Sequence, residues 1–415
     1  MKKVQSKQML EKIRIVLLFF FLFSALITII VAVTIDHRDE LDNEYPANSE
    51  VESDISYLES IGADFEIFNG DNFVSFITPP TPELELVLES EEHLPEPTLN
   101  YLDMGGEFEL PLNGSTGWAA KTVILRESPE RTSDEILNLY PGKAFTILYK
   151  EDFWWCIEVE DGVVGFVEWG GCFINLPDII PSIIYNNTNA YNSLKKSSGF
   201  DIPFVTGEGL YHSFEFNPRL GRDEFLVPAH YIMAEKLSII QQQALLDGFT
   251  LIVYEVFRPY VTQRLVVTQL SELISSNSVV SNAINAPGWG IGAFIATGRS
   301  NHQLASAIDL SLGIVHETSF ETSGRFEYQR VVAHEEFVMQ SPMHELSPLS
   351  ASGSWNQTEG STLLREYFTN MGFRPVGSEW WHFDCVESRA VALNNGIGGD
   401  FFVSPGISVV TVWEE

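Results

Sequence analysis

Hydrophobic and polar positions follow three different textures along the chain. Ile15 to Ile35 is a run of 21 uncharged residues, apolar all round rather than on one stripe. As a helix it would be about 30 Å long, the thickness of a bilayer's hydrocarbon core. From residue 36 to about residue 112 the pattern dissolves into an acidic stretch with Pro79-Pro80 and the alternating run Glu83-Leu-Glu-Leu-Val-Leu-Glu. Arg38 is the only Lys or Arg there, so the segment repels itself and is expected to be an extended linker.

Between residues 113 and 178 short runs of Val, Ile, Phe and Trp recur between turn residues. They are Thr122–Leu125, Ala144–Tyr149, Trp154–Val159 and Val164–Val167, with turns at Pro141-Gly142 and Asp161-Gly162. About five short strands in so little chain predict a small barrel. Beyond residue 178 the texture becomes mixed. Ala229–Leu246 reads as a helix, Leu251–Val256 as a buried strand, Ala305–Leu312 as an apolar run, and Thr362–Met371 as a helix closed by Gly372. The expected fold class is therefore α+β. A domain at 179–415, with a small antiparallel sheet and flanking helices, follows an all-β unit at 113–178, a linker at 36–112 and an apolar helix within 1–35.

Charge sharpens this picture. The net charge of −33 in 415 residues excludes nucleic acid as a partner, because phosphate binding needs clustered Lys and Arg. Lys2, Lys3, Lys7, Lys12 and Arg14 precede the apolar run, and Asp36, Asp39, Glu40, Asp42 and Glu44 follow it. This asymmetry predicts a retained single-pass membrane anchor, with the N-terminus cytoplasmic and everything after Ile35 extracellular. Three cysteines, at 156, 172 and 385, exclude a complete disulfide framework; Cys156 and Cys172 could pair if their strands are adjacent.

Candidate chemistry sits in three segments of the last domain: Tyr254–Tyr260, Ser300–Leu312 and Ser378–Asp384. Each sets metal-competent or charged residues at the edge of an apolar run. If the chain turns after His302 and enters a strand at Ser306, His302 and Asp309 can face one point, and His382 can add a second imidazole. Two His and one carboxylate, with a position left for water, suit one catalytic zinc ion. Glu379 lies three residues before His382, where it can flank a metal without binding it and act as acid and base. Arg258, fixed before Pro259, can stabilise a developing oxyanion.

In order and spacing these segments resemble the D-alanyl-D-alanine dipeptidase and D,D-carboxypeptidase family of zinc peptidases, the group linked to vancomycin resistance. The family's Tyr-Asp-x-Tyr-Arg-Pro, Ser-x-His-x-x-Gly-x-Ala-x-Asp and Glu-x-Trp-His resemble Tyr254–Pro259, Ser300–Asp309 and Glu379–His382. The resemblance covers roughly residues 200 to 390. It implies zinc on His302, Asp309 and His382, Glu379 and Arg258 as catalytic residues, and substrate contact by Ser300, Glu255 and Tyr254. Ala305 replaces the motif glycine, so a positive φ there is expected to be costly. His344 stands where the dipeptidases carry an Asp that holds a free substrate ammonium, which favours longer stem peptides. His316, His334 and His344 are otherwise expected in structural or surface roles. The strand order of 113–178 resembles bacterial SH3 domains, which hold wall peptides or glycan; equally, Trp154 and Trp155 suit a core.

The function expected is zinc-dependent hydrolysis of D-Ala-D-Ala bonds in peptidoglycan stem peptides. Hydrolysis of the free dipeptide is the first alternative, and non-catalytic cell-wall binding the second. No Ser-x-x-Lys motif with its partner motifs and no His-Glu-x-x-His motif is found.

Overall fold

Turn residues punctuate the first sheet as the pattern predicts. The computed structural model describes residues 98–353 and 356–411, which lie in the unit Ser90–Glu415. Its first strands are β1 (Ser115–Ala119), β2 (Val123–Arg126), β3 (Glu135–Leu139), β4 (Ala144–Glu151), β5 (Trp154–Glu158), β6 (Val164–Glu168) and β7 (Cys172–Asn175). Gly142 and Gly162 turn the chain before β4 and β6 with φ of 84° and 75°, a region open to glycine at no steric cost. Trp155 is fully buried and Trp154 nearly so, which puts both indoles in the core. Cys156 on β5 and Cys172 on β7 are separated by β4 and β1, and all three cysteines are free and buried.

A one-turn helix, α1 (Leu176–Ile179), leads to β8 (Ile184–Tyr185), to the ribbons β9 (Lys196–Ser197) with β10 (Phe200–Asp201) and β11 (Phe214–Asn217) with β12 (Arg222–Phe225), and to β13 (Pro228–Ala229). Then come α2 (Tyr231–Leu246), β14 (Phe249–Glu255), α3 (Tyr260–Ser276), α4 (Ser278–Ile284), β15 (Ala307–Ser323), β16 (Phe326–Glu336), α5 (Glu359–Asn370), β17 (Phe373–Pro375), β18 (His382–Cys385) and α6 (Val386–Asn394). The second sheet runs β17-β18-β15-β14-β8, with β16 paired to β15. β14 is parallel to β8 and antiparallel to β15. Covered on both faces, β14 is buried from Thr250 to Glu255, which is why its sequence is a continuous apolar run with little alternation.

Two expectations are corrected here. The fold is not a small barrel placed ahead of a domain with a small antiparallel sheet; it is mixed α/β with several sheets. The first sheet has eight strands because β7 offers its outer edge to β13, some fifty residues further along the chain. One hydrophobic cluster contains both Trp118 and Phe145 of the first sheet and Leu310 and Phe383 of the second. Nor is the single-pass membrane arrangement supported. Among the described residues no helix is long and apolar enough to cross a membrane; the longest, α3, has 17 residues and a polar face. The run 15–35 on which that expectation rested, and the linker up to residue 97, lie outside the described residues. The end of the acidic stretch joins the core through Phe108 and Leu110.

Residues 401–411 form a strap over the first sheet. Ser404 accepts from Trp118 Nε1 through its carbonyl (3.0 Å) and from the Ala144 N–H through its hydroxyl (2.9 Å), and donates its own N–H to Gly142 (2.9 Å). Further along, the Ile407 and Val409 N–H groups bond Thr116 and the Gly114 carbonyl. Ser404→Ala leaves the Ala144 N–H unpaired and is expected to destabilise the fold by about 1 kcal/mol, read as a lower urea midpoint with an unchanged slope.

Candidate metal centre

Strand register assembles the site. Asp309 on β15 is the cross-strand partner of Glu255 on β14 and of His382 on β18, so three functional side chains stand in one row across three strands. Directly opposed residues bring their Cβ atoms within about 5 Å on the same face. His302 enters from outside the sheet. It sits on the short 3-10 turn Asn301–Leu304, whose start is capped by Gln303 reaching back to the Ser300 N–H (2.5 Å). Ala305 closes the turn in the left-handed region at φ 48°, so the expected penalty is borne rather than avoided, at roughly 1–2 kcal/mol. Its N–H returns to Asn301 and His302, its carbonyl accepts from the His230 N–H (3.0 Å), and its methyl is buried.

Three metal-competent atoms converge. His302 Nε2 lies 3.2 Å from His382 Nδ1 and 3.3 Å from Asp309 Oδ1, and His382 Nδ1 lies 2.9 Å from the same oxygen. Four ligands at about 2.0–2.1 Å around zinc stand about 3.3 Å apart in a regular tetrahedron, so this triangle fits such an ion. The supporting contacts fit as well. His302 Nδ1 donates to the Val256 carbonyl (2.7 Å), which turns the Nε2 lone pair toward the cluster. His382 Nε2 faces Asp384 Oδ1 (3.1 Å), and Asp384 is held by Asn301 Nδ2 (2.8 Å). Glu255, Asp309 and His344 form a second possible cation group among the described residues. That position is taken by the Arg258 guanidinium, which bonds Glu255 and stands 3.4 Å from Asp309 Oδ2, so the donor set suits one ion.

Glu379 lies in the turn before β18, with Oε2 3.8 Å from His382 Nδ1 and the side chain 12% exposed. Burial raises its pKa to about 8, against the opposing pull of His382. Arg258 is locked in place: Nε donates to Glu255 Oε2 (2.8 Å) and Nη1 to Gln263 Oε1 (2.6 Å). Glu255 is itself wholly buried, accepting from Asn189 (2.7 Å) and Tyr211 (2.9 Å) and pairing with buried Lys195 (3.3 Å). Despite burial, Arg258 and Lys195 keep its carboxyl below the usual range. It therefore anchors Arg258. The Tyr254 hydroxyl bonds Glu336 (2.9 Å) while its ring stands edge-on to His344, and the Ser300 hydroxyl bonds Gln303 (3.1 Å).

No family model matches the chain. D-alanyl-D-alanine dipeptidase from Escherichia coli (strain K12) is 25% identical to it over 181 residues, covering 43% of this chain and 75% of that protein. This distant likeness and the convergent cluster support a peptidase-like hydrolase with residues able to bind a metal ion.

His344, Lys195 and Asp384 complete the site, and residue patterns alone assigned them no role in it. Asp384 carried a signal, since positions 382 and 384 share one face of a strand. His344 had only its place in the family resemblance. Lys195 had none, because a segment distant in sequence brings it in.

Burial opposes charge on His382, yet its bonds to Asp309 and Asp384 outweigh burial and hold its pKa well above 6.5. That charge stabilises the metal-free protein fully below about pH 6.5 and is lost as pH rises through the raised value. A metal ion must displace the Nδ1 proton. Zinc affinity, measured by chelator competition, should therefore rise about tenfold per pH unit as long as His382 is protonated, through pH 6.5 and beyond, and level off once it is neutral. Asp309→Asn should abolish zinc retention at every pH.

Proposed function

We propose that this chain is a zinc-dependent D,D-peptidase that releases the terminal D-alanine from peptidoglycan stem peptides. The observation carrying this reading is the triangle of His302, Asp309 and His382 with Glu379 poised beside it and away from the three ligand atoms. The distant dipeptidase relative supplies the bond class, D-Ala-D-Ala.

A cation held by the triangle supplies Lewis-acid polarisation of the scissile carbonyl and acidifies water. Glu379 takes a proton from the attacking water and passes it to the leaving D-alanine nitrogen as the C–N bond breaks. Its place beside the triangle, with Oε2 3.8 Å from His382 Nδ1, suits both halves of that transfer. Arg258, immobilised by Glu255 and Gln263, stabilises the negative charge that gathers on the carbonyl oxygen without having to reorganise. Ser300 and Tyr254 are the substrate contacts that the family resemblance implies, whereas Glu255 acts through Arg258.

Residue 344 favours stem peptides over the free dipeptide. His344 is fully buried, and burial together with Lys195 lowers its pKa to about 4. In either protonation state an imidazole offers no negative charge to a free ammonium. The relative's name favours the dipeptide instead, so both substrates belong in the test.

The zinc-loaded full-length chain should release D-alanine from a muramyl-type pentapeptide faster than from D-Ala-D-Ala. Glu379→Gln should keep its zinc and lose about 10²–10⁴-fold in rate. Faster release from the dipeptide would establish the dipeptidase reading. No release from either substrate by the zinc-bound protein would overturn both readings and favour a binding role.

A further inference from the structure

We propose that His344 is a positioning residue: it holds one oxygen of Asp309 so that the other is presented alone to the metal ion. The proposal rests on the reading of His302, Asp309 and His382 as metal ligands, and on no assumption about substrate.

The two oxygens of Asp309 do different things. Oδ1 is the atom shared by His382 and His302, at 2.9 and 3.3 Å. Oδ2 faces His344 Nε2 at 3.1 Å and Arg258 Nη2 at 3.4 Å. An ionised carboxylate only accepts hydrogen bonds, so His344 must carry its proton on Nε2 and donate it. His344 Nδ1, buried and without a hydrogen-bond partner among the described residues, is then the bare nitrogen. Carboxylates bind cations through one oxygen or two. A donor fixed on Oδ2 selects the one-oxygen mode. Arg258 makes the longer contact with Oδ2, and its guanidinium is already committed to Glu255 and Gln263.

The chain bears a strained backbone to put His344 there. Its φ of 60° is in the left-handed region, unfavourable for a residue with a Cβ. Contacts from the β9–β10 ribbon enforce it. The Lys196 N–H donates to the His344 carbonyl (3.1 Å), the Leu346 N–H donates to Lys196 (2.7 Å), and the Glu345 carboxylate accepts from the Ser198 (2.5 Å) and Gly199 (3.1 Å) N–H groups. The imidazole stands edge-on to Tyr254 and Trp381, with centroids at 6.3 and 5.8 Å. Strain persists where the surroundings over-determine it, and it clusters at functional sites.

The test uses the full-length chain carrying His344→Leu, which removes the donor, or His344→Gln, which keeps an N–H at similar reach. Zinc affinity is read by chelator competition, and ligand geometry by the visible absorption of the cobalt-substituted protein. The Leu variant should bind zinc about 10–100-fold more weakly, with a changed cobalt spectrum. The Gln variant should stay within about threefold of the parent and keep the parent spectrum. Parent affinity and spectrum in the Leu variant would overturn the proposal, as would a Gln variant as weak as Leu. Should Leu fail to fold by thermal melting, His344→Asn, whose amide is too short to reach Oδ2, takes its place with the same expected loss. None of these readouts depends on hydrolysis, so failure of the D,D-peptidase reading would leave them intact.

Discussion

The register between β14, β15 and β18 is the constraint on which the site depends. Asp309 opposes Glu255 on one side and His382 on the other. Side chains alternate along a strand, so a slip of one residue in either pairing would turn a functional group to the opposite face. The register is specified because β14 and the start of β15 are buried on both faces, with Leu251, Val253, Leu310 and Leu312 all in the core. Apolar packing on both faces thus fixes where the polar side chains stand.

Placing so many charges under cover is costly in itself, and the arrangement shows how the cost is met. Glu255, Arg258, Lys195 and Asp309 are all buried, yet each touches a partner of opposite sign. Removing one member would strand the others in a poorly polarisable interior, which costs more than the net worth of any single pair. The same network makes Arg258 rigid. Ligand geometry and electrostatic preorganisation are therefore consequences of one buried cluster.

Two non-glycine residues in left-handed conformation, Ala305 and His344, flank the candidate ligands. Each is held by hydrogen bonds from distant chain: His230 to Ala305, and the β9–β10 ribbon to His344. The first sheet is tied in too, through β13 and the strap at 401–411. The geometry of the candidate site thus draws on the whole described unit rather than on the three motif segments alone.

The local chemistry was legible in the sequence. His302, Asp309, His382, Glu379 and Arg258 were singled out as candidates by residue type together with the order of the family's motifs, and the structure brings them to one place. The turns at Gly142 and Gly162, the helix ending before Asp247 and the buried strand at β14 followed from turn residues and periodicity. These depend on short-range rules: strand alternation, turn propensity, and the donor types a metal accepts. What tertiary structure alone decided was everything set by contacts between segments far apart in the chain. The edge of β7 went to β13, so a separate barrel was not the outcome. Asp309 found His344, and Glu255 found Lys195 and anchors Arg258. No local pattern encodes such pairings, because they follow from which faces the core buries together.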